Sequence, residues 1–330
     1  MTSNNSSATR EVRRVSYYLN NYGILIGFIL IVILLSLFAP NFFSVKNVVN
    51  ILRQVSCIGI ATIGVGMLII MNCNDLSIGS MFALTGVVAG MMVSTGKGGF
   101  GLPPVVGYAA GIASGVAVGL LNGVVVAKGK IPAFIVTMGT QSIARGLALI
   151  LAHGMPIGEF PDAFNYLGTA SLDSANLVPW SVLLFLLVAV VMNFVMKKLP
   201  IGRYIYAVGG NEEAARVAGI NVDKIKIQAY LIEGSLLGLA GTLMASRLKS
   251  AAPALGTGYE LDAIAGSIIG GVSFTGGIGS VADMVLGALV IGVINNGMDL
   301  LGVEAFYKQV VKGSIIILAV LIDRKRSGRS

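Results

Sequence analysis

The sequence predicts an all-α integral membrane protein of about ten transmembrane helices, one of them short or broken near 259–272. Three observations predict it. Only 12% of the 330 residues are charged and 55% are apolar, about half the polar coat of an average soluble domain, which carries roughly 25% charged residues. The apolar residues fall in blocks of about 15 to 20, without the roughly ten-residue in-and-out alternation of a membrane barrel. A spanning helix takes about 20 residues, so ten would use roughly 200 and leave short connections with no sizeable soluble domain.

Residues 1–9 are polar with nothing to bury, and the arm 1–19 is read as disordered and cytoplasmic. Arg10, Arg13 and Arg14 precede the nearly unbroken Ile24–Phe38, but no small-residue cleavage site follows, so 23–39 is read as a retained first span. Further apolar blocks lie at 54–71, 76–93, 104–126, 132–152, 179–196, 227–246, 281–297 and 306–322, with a shorter, glycine-broken one at 259–272. Residues 20–322 thus form a single transmembrane domain, followed by a basic tail at 323–330.

Basic residues set the orientation. Lys128 and Lys130 mark one connection, and Lys197, Lys198, Arg203, Arg216, Lys224 and Lys226 mark another, at 197–226. Arg324, Lys325, Arg326 and Arg329 mark the tail. All should be cytoplasmic, whereas 154–178 has no Lys or Arg and belongs outside. Two basic termini require an even number of crossings, so counting 259–272 as a short or broken span makes ten; a re-entrant segment there, with one other block miscounted, would make eight. Tyr17, Tyr18 and Tyr22, Trp180 and Tyr307 stand near block ends, as an interfacial aromatic belt requires.

Gly111, Gly115, Gly119 and Gly123 recur at every fourth position. Gly86 with Gly90, Gly234 with Gly238, and Gly266 with Gly270 repeat the spacing. Small residues let helix backbones approach in lipid, so the pattern reads as tight bundle packing, with a narrow solute path as the second reading. The net charge of +8 comes from the short basic connections rather than from a nucleic-acid-binding stripe. Cys57 and Cys73 are separated by about 24 Å along one helix region, which precludes a disulfide between them. With His153 the lone histidine, no zinc-ligand spacing exists. Gly96–Gly101 and Gly277–Ala282 imitate dinucleotide fingerprints without the strand context these need. No phosphate-binding G-x-x-x-x-G-K-[ST] loop occurs, so neither cofactor nor metal is expected.

The connection 197–226 contains one more pattern. Gly209 and Gly210 precede Asn211, a good N-cap; Glu212 and Glu213 suit a helix first turn; Ala214, Ala215 and Arg216 continue it; Gly219 stands at the C′ position. The residues describe a helix of about two turns outside the membrane, either a surface connector or a knob that docks into another protein. Within the apolar blocks, Asp75, Arg145, Glu233 and Asp283 stand out, because a mid-bilayer charge costs at least about 2.5–3.5 kcal/mol. The run Asn72, Cys73, Asn74, Asp75, Leu76, Ser77 is polar enough to interrupt a span, either as an interfacial loop or along a wet path. Thr137, Thr140, Gln141 and Arg145 form a polar stripe suited to interhelical hydrogen bonding or to solute contact.

Several stretches resemble the ribose-type sugar permease family of ABC importers: Asp75-Leu76-Ser77-Ile78-Gly79-Ser80, Ile131–Thr140, Arg145–Ala148, Gly202–Val222, Gly258–Ala265 and Val310–Arg324. The resemblance runs in order from about residue 20 to 326. It implies a membrane permease subunit that catalyses no chemistry itself. Cytoplasmic ATPase subunits would dock at Gly209–Gly219, a periplasmic or lipid-anchored binding protein would deliver solute, and a second copy or a homologue would complete the pore. It also implies a bacterial cytoplasmic membrane as the location. The chain departs from the family at Asn72-Cys73-Asn74, where a glycine pair and an apolar residue are usual, and at Glu233, where a small polar residue is usual. It departs again at Ser280–Met284. Asn72 and Asn74, with Asp75, Ser77 and the stripe on 137–145, are the candidate path-lining residues. The alternatives are a permease for nucleosides or branched-chain amino acids, and a self-sufficient secondary transporter that recruits Glu233 or Asp283 as an ion-coupling carboxylate.

Overall fold

A computed structural model describes residues 25–327, with side chains through Leu321. The N-terminal arm with its tyrosines and the end of the basic tail lie outside the described residues. Described residues are helical apart from turns and two isolated bridges, Ile157 with Ala251 and Ser171 with Pro179. The helices are α1 (Leu25–Phe38), α2 (Val45–Ile70), α3 (Ile78–Val93), α4 (Pro104–Gly129), α5 (Ala133–Leu151), α6 (Asp162–Thr169) and α7 (Trp180–Lys198). They continue with α8 (Pro200–Gly210), α9 (Glu212–Val217), α10 (Val222–Leu248), α11 (Tyr259–Gly270), α12 (Val281–Leu300) and α13 (Ala305–Ser327).

Each expected apolar block coincides with a helix. Among the described residues α2, α4, α5, α7, α10 and α12 are long and apolar enough to cross a membrane, while α1 and α3 are shorter apolar helices. The 12 residues of α11 extend about 18 Å, against a hydrocarbon core of about 30 Å, so of the two expectations, short or broken, this segment is the short one.

Boundaries differ where polar residues find partners. α2 starts at Val45 rather than 54, because Ser44 caps it and its polar first turns are paired. Asn47 donates to the Asn296 side chain at 2.9 Å, Arg53 to Ser171 at 3.0 Å, and Asn50 accepts from Arg247 at 3.0 Å. The connection 197–226, read as a loop around one short helix, is largely helical: α8 fills 200–210, with Pro200 in its first turn. The connection 154–178 likewise contains α6. Asp283, expected within an apolar block, sits in the first turn of α12 with its amide capped by Ser280 at 3.2 Å, where a carboxylate suits the helix dipole.

α2 is the central helix, buried on all sides from Val55 to Ile70, as befits a helix that is apolar all round. α10, α12, α11 and α7 pack around it, and α3 sits between α10, α4 and α5. The fourfold glycine face of α4 lies against Gly234 and Gly238 of α10: a methyl at Gly119 would meet the Tyr230 carbonyl, and one at Gly115 the Gly234 carbonyl. Backbone-to-backbone approach of this kind is how helices gain van der Waals contact in lipid. The outward faces of α5, α7 and α13 present large apolar side chains such as Ile150, Val190 and Leu318.

The connections sort to two ends of the bundle. At one end, Gly277 N–H donates to the Ile70 carbonyl at 2.8 Å, and Lys226 pairs with Glu212 at 2.8 Å. At the other, the Ile157–Ala251 bridge and the Arg53–Ser171 and Arg247–Asn50 bonds join 154–178 to the ends of α2 and α10. The basic connections therefore share one end and the connection without Lys or Arg lies at the opposite one.

Candidate functional site

At the basic end α8 and α9 form a foot. Asn211 caps α9, its Oδ1 accepting the Ala214 N–H at 2.9 Å, and Gly219 follows the helix with φ +84°, the left-handed conformation glycine tolerates at C′. Arg216 bridges Glu212 at 2.9 Å and Asp223 at 3.0 Å, and Lys226 of α10 holds the other Glu212 oxygen. Burial pushes the Glu212 carboxyl up, but hydrogen bonds from Lys226 and Arg216 outweigh it and hold the group below its ordinary value. The hydrogen bond to Glu212, then that to Asp223, holds the Arg216 guanidinium above its ordinary value. Ala215 is buried and anchors α9, whereas Glu213, Ala214 and Ala218 are exposed and Val217 is 86% exposed. The foot thus presents small, apolar side chains on a tip braced by ion pairs.

The foot is wedged against the core. A methyl on Gly209 would meet the Ile70 carbonyl, and one on Gly276 the Gly209 carbonyl, so the end of α8 touches both the end of α2 and the α11–α12 turn by backbone alone. Tyr206 Oη donates to the Gly279 carbonyl at 2.7 Å on the same turn. The Gly209 contacts are backbone to backbone and cannot yield by side-chain rotation.

Between α2 and α3 the chain leaves the helix at 71–77. Asn72 is exposed, adopts φ +59°, and lines a cavity of about 590 Å³ with Cys73, Lys130, Glu212, Arg216 and Lys226. Asp75 and Ser77 turn the other way and are fully buried. Asp75 Oδ1 accepts the Ser77 hydroxyl at 2.6 Å and its amide at 2.5 Å, and Oδ2 accepts the Asn122 amide of α4 at 3.3 Å. Glu233 of α10 is fully buried beside this group. The Asn74 carbonyl accepts from the Thr137 hydroxyl at 3.4 Å.

The stripe on α5 does not gather around one cavity. Thr137 and Thr140 are buried and donate back to their own helix, to the Ala133 and Val136 carbonyls, while the Leu76 amide donates to Thr137. Gln141 is half-buried. Arg145 Nη1 donates to the Pro253 carbonyl and to that of Leu255, at 2.9 Å for the latter, pinning α5 to the α10–α11 connection. Three participants escaped the sequence reading. Asn122, an asparagine within an apolar run, completes the Asp75 group; Arg53 donates to Ser171 and Arg247 to Asn50 at the far end. A search for polar amides as well as charges within apolar blocks would have found Asn122. Among the described residues no group of three or more His, Cys, Asp or Glu is placed to hold a metal ion.

Fold and site together describe a helical membrane bundle with one short helix, α11, in its core and a braced foot. Residues 47–320 match the family described as branched-chain amino acid transport system / permease component, and the chain belongs to that family. It is 41% identical over 303 residues to the ribose import permease protein of Escherichia coli (strain K12), covering 92% of this chain and 93% of that one. It is 38% identical to the ribose import permease protein of Bacillus subtilis (strain 168), covering 96% and 97%. It is 34% identical to the L-arabinose transport system permease protein of Escherichia coli (strain K12), covering 92% and 90%. No solved structure matches the chain. The resemblance to ribose-type sugar permeases is thereby borne out, and the chain is a multi-pass transport subunit rather than an enzyme.

Proposed function

We propose that the chain is the permease subunit of an ATP-driven importer for a pentose of the ribose or arabinose type. It crosses the bacterial cytoplasmic membrane ten times with its basic end inside. The observation that carries this reading is the similarity to ribose and arabinose import permeases over more than nine-tenths of the chain. The connections that hold Lys128, Lys130, Lys197, Lys198, Arg203, Arg216, Lys224 and Lys226 share one end while 154–178 has no Lys or Arg, which supports the orientation.

In this reading α9, with its exposed Ala214, Val217 and Ala218, seats in a groove of an ATPase subunit, and Glu212, Arg216 and Lys226 keep it rigid. Closure of the ATPases moves α8 and α9, and the Gly209–Ile70 and Tyr206–Gly279 contacts pass that motion to α2 and to the α11–α12 turn. A second copy or a homologue completes the pore, and a binding protein delivers the sugar at the opposite end. The cavity lined by Asn72 lies at the inner mouth of the path.

Reconstitution with the cognate ATPase and binding protein in proteoliposomes tests this. Labelled ribose or arabinose should enter only with ATP on the side of the foot, and Val217→Glu should abolish uptake while leaving the bundle folded. Uptake by the chain alone without ATP would refute the reading in favour of a secondary transporter. Uptake of leucine or a nucleoside in place of the pentose would refute the substrate class.

A further inference from the structure

Two fully buried carboxyl groups meet where the α2–α3 break touches α10. Asp75 and Glu233 each have 0% of their surface exposed, and their carboxyls are within hydrogen-bonding reach of one another. Asp75 accepts from the Ser77 amide and hydroxyl on one oxygen and from Asn122 on the other. Neither Glu233 oxygen receives an N–H or O–H, and the nearby Asn122 Oδ1 and Tyr230 hydroxyl are also without partners. Room for Glu233 comes from Gly64 of α2, where a methyl would stand 3.1 Å from Glu233 Cγ.

Among the described residues no cation pairs with these two acids. The groups facing them are Cys73 and Ser77 on the break, Asn122 on α4 and Tyr230 on α10, all uncharged as ordinarily protonated. Lys226, two turns earlier on the same face of α10, is engaged by Glu212 at 2.8 Å, and its field falls on Cys73. Two ionised carboxylates in contact in a buried space repel each other strongly, in addition to the desolvation of both. A single shared proton removes the repulsion and turns the contact into a charge-assisted hydrogen bond.

We propose that Asp75 and Glu233 form a proton-binding site, one proton lying between the two carboxyls with Glu233 as the acid and Asp75 as the accepting carboxylate. The Glu233 O–H supplies one more donor to Asp75, and the bond clasps α10 to the break between α2 and α3. Glu233 is thus a positioning residue. Ionising both groups would drive the break and α10 apart, directly beside the cavity at the basic end.

The test is infrared spectroscopy on the full chain in lipid nanodiscs at neutral pH in choline chloride. The C=O stretch of an un-ionised, buried carboxylic acid is expected, shifted in D2O, lost in Glu233→Gln and displaced in Asp75→Asn. Absence of that band in the unsubstituted protein, or its persistence unchanged in both variants, overturns the proposal. So does its loss on adding sodium chloride at fixed pH, which would assign the orphaned oxygens to a monovalent cation. In the same nanodiscs Glu233→Gln, whose amide still donates to Asp75, should keep a folded-to-unfolded ratio about tenfold or more above that of Glu233→Ala. Equal ratios for the two variants would overturn the clasp.

Discussion

Substituting Gly115 by alanine tests the packing on which the bundle rests. The added methyl would meet the Gly234 carbonyl oxygen and stand 2.8 Å from the Gly238 Cα and amide nitrogen. Carbon atoms in good contact lie about 3.5–4.0 Å apart, so α4 and α10 must separate by about 1 Å along their shared face. No side chain can swing aside, because every atom met is backbone. Overpacking of this kind costs about 1–3 kcal/mol. Alanine's advantage over glycine in a helix, up to about 1 kcal/mol, offsets part of it. Because only rigid backbone is met, the cost lies at the upper end of that range, and the net loss of about 2 kcal/mol lowers the folded-to-unfolded ratio by a factor of about 30. Gly139→Ala is the control: a methyl there meets nothing within 4 Å, so only the gain in helix propensity remains. Reversible denaturant titration in mixed micelles, followed by the fluorescence of the single tryptophan, Trp180, compares the two. Equal stability of Gly115→Ala and the unsubstituted chain, or an equal loss in Gly139→Ala, would refute the reasoning.

Other outcomes follow from named contacts. Lys312→Met leaves Asp262, 1% exposed, with Asn295 as its remaining partner, and should destabilise the chain by about 3–5 kcal/mol, with Asp262→Asn added on top restoring much of the loss; thermal unfolding of both variants measures this. Asn211→Ala removes the cap of α9 and should cost about 1 kcal/mol locally, read as faster hydrogen exchange at the Ala214 amide with the bundle unaffected. The Glu212 carboxyl is held below its ordinary value by Lys226 and Arg216 acting against burial. Its contribution to foot stability is therefore present above the ordinary glutamate range and lost as pH falls through the lowered value. Carbon NMR of the labelled carboxyl should show that low midpoint, returning toward normal in Lys226→Met.

The foot was legible because its signals are local: an amide cap, acidic residues in a first turn and a glycine at C′ act within a few residues of one another. The polar connection at 71–77 and the short helix within 259–272 were legible for a related reason, since clustered polar residues or glycines end an apolar run wherever they occur. α8 and the first turns of α2 were not. Asn47, Asn50 and Arg53 look like loop residues until partners far along the chain, Asn296, Arg247 and Ser171, satisfy them.

Hydrophobic block length, basic clusters and glycine spacing determined by themselves that this chain is a helical membrane bundle with one basic end and a close-packed α4. Those properties depend on composition and short periodicity, which lipid reads directly. Only the tertiary structure decided that the α4 glycines face Gly234 and Gly238, that Gly209 rests on the Ile70 carbonyl, and that Asp75 and Glu233 share one buried space. These are meetings of atoms separated by scores of residues, and their energies arise from mutual distance and exclusion of water, which no window along the chain contains.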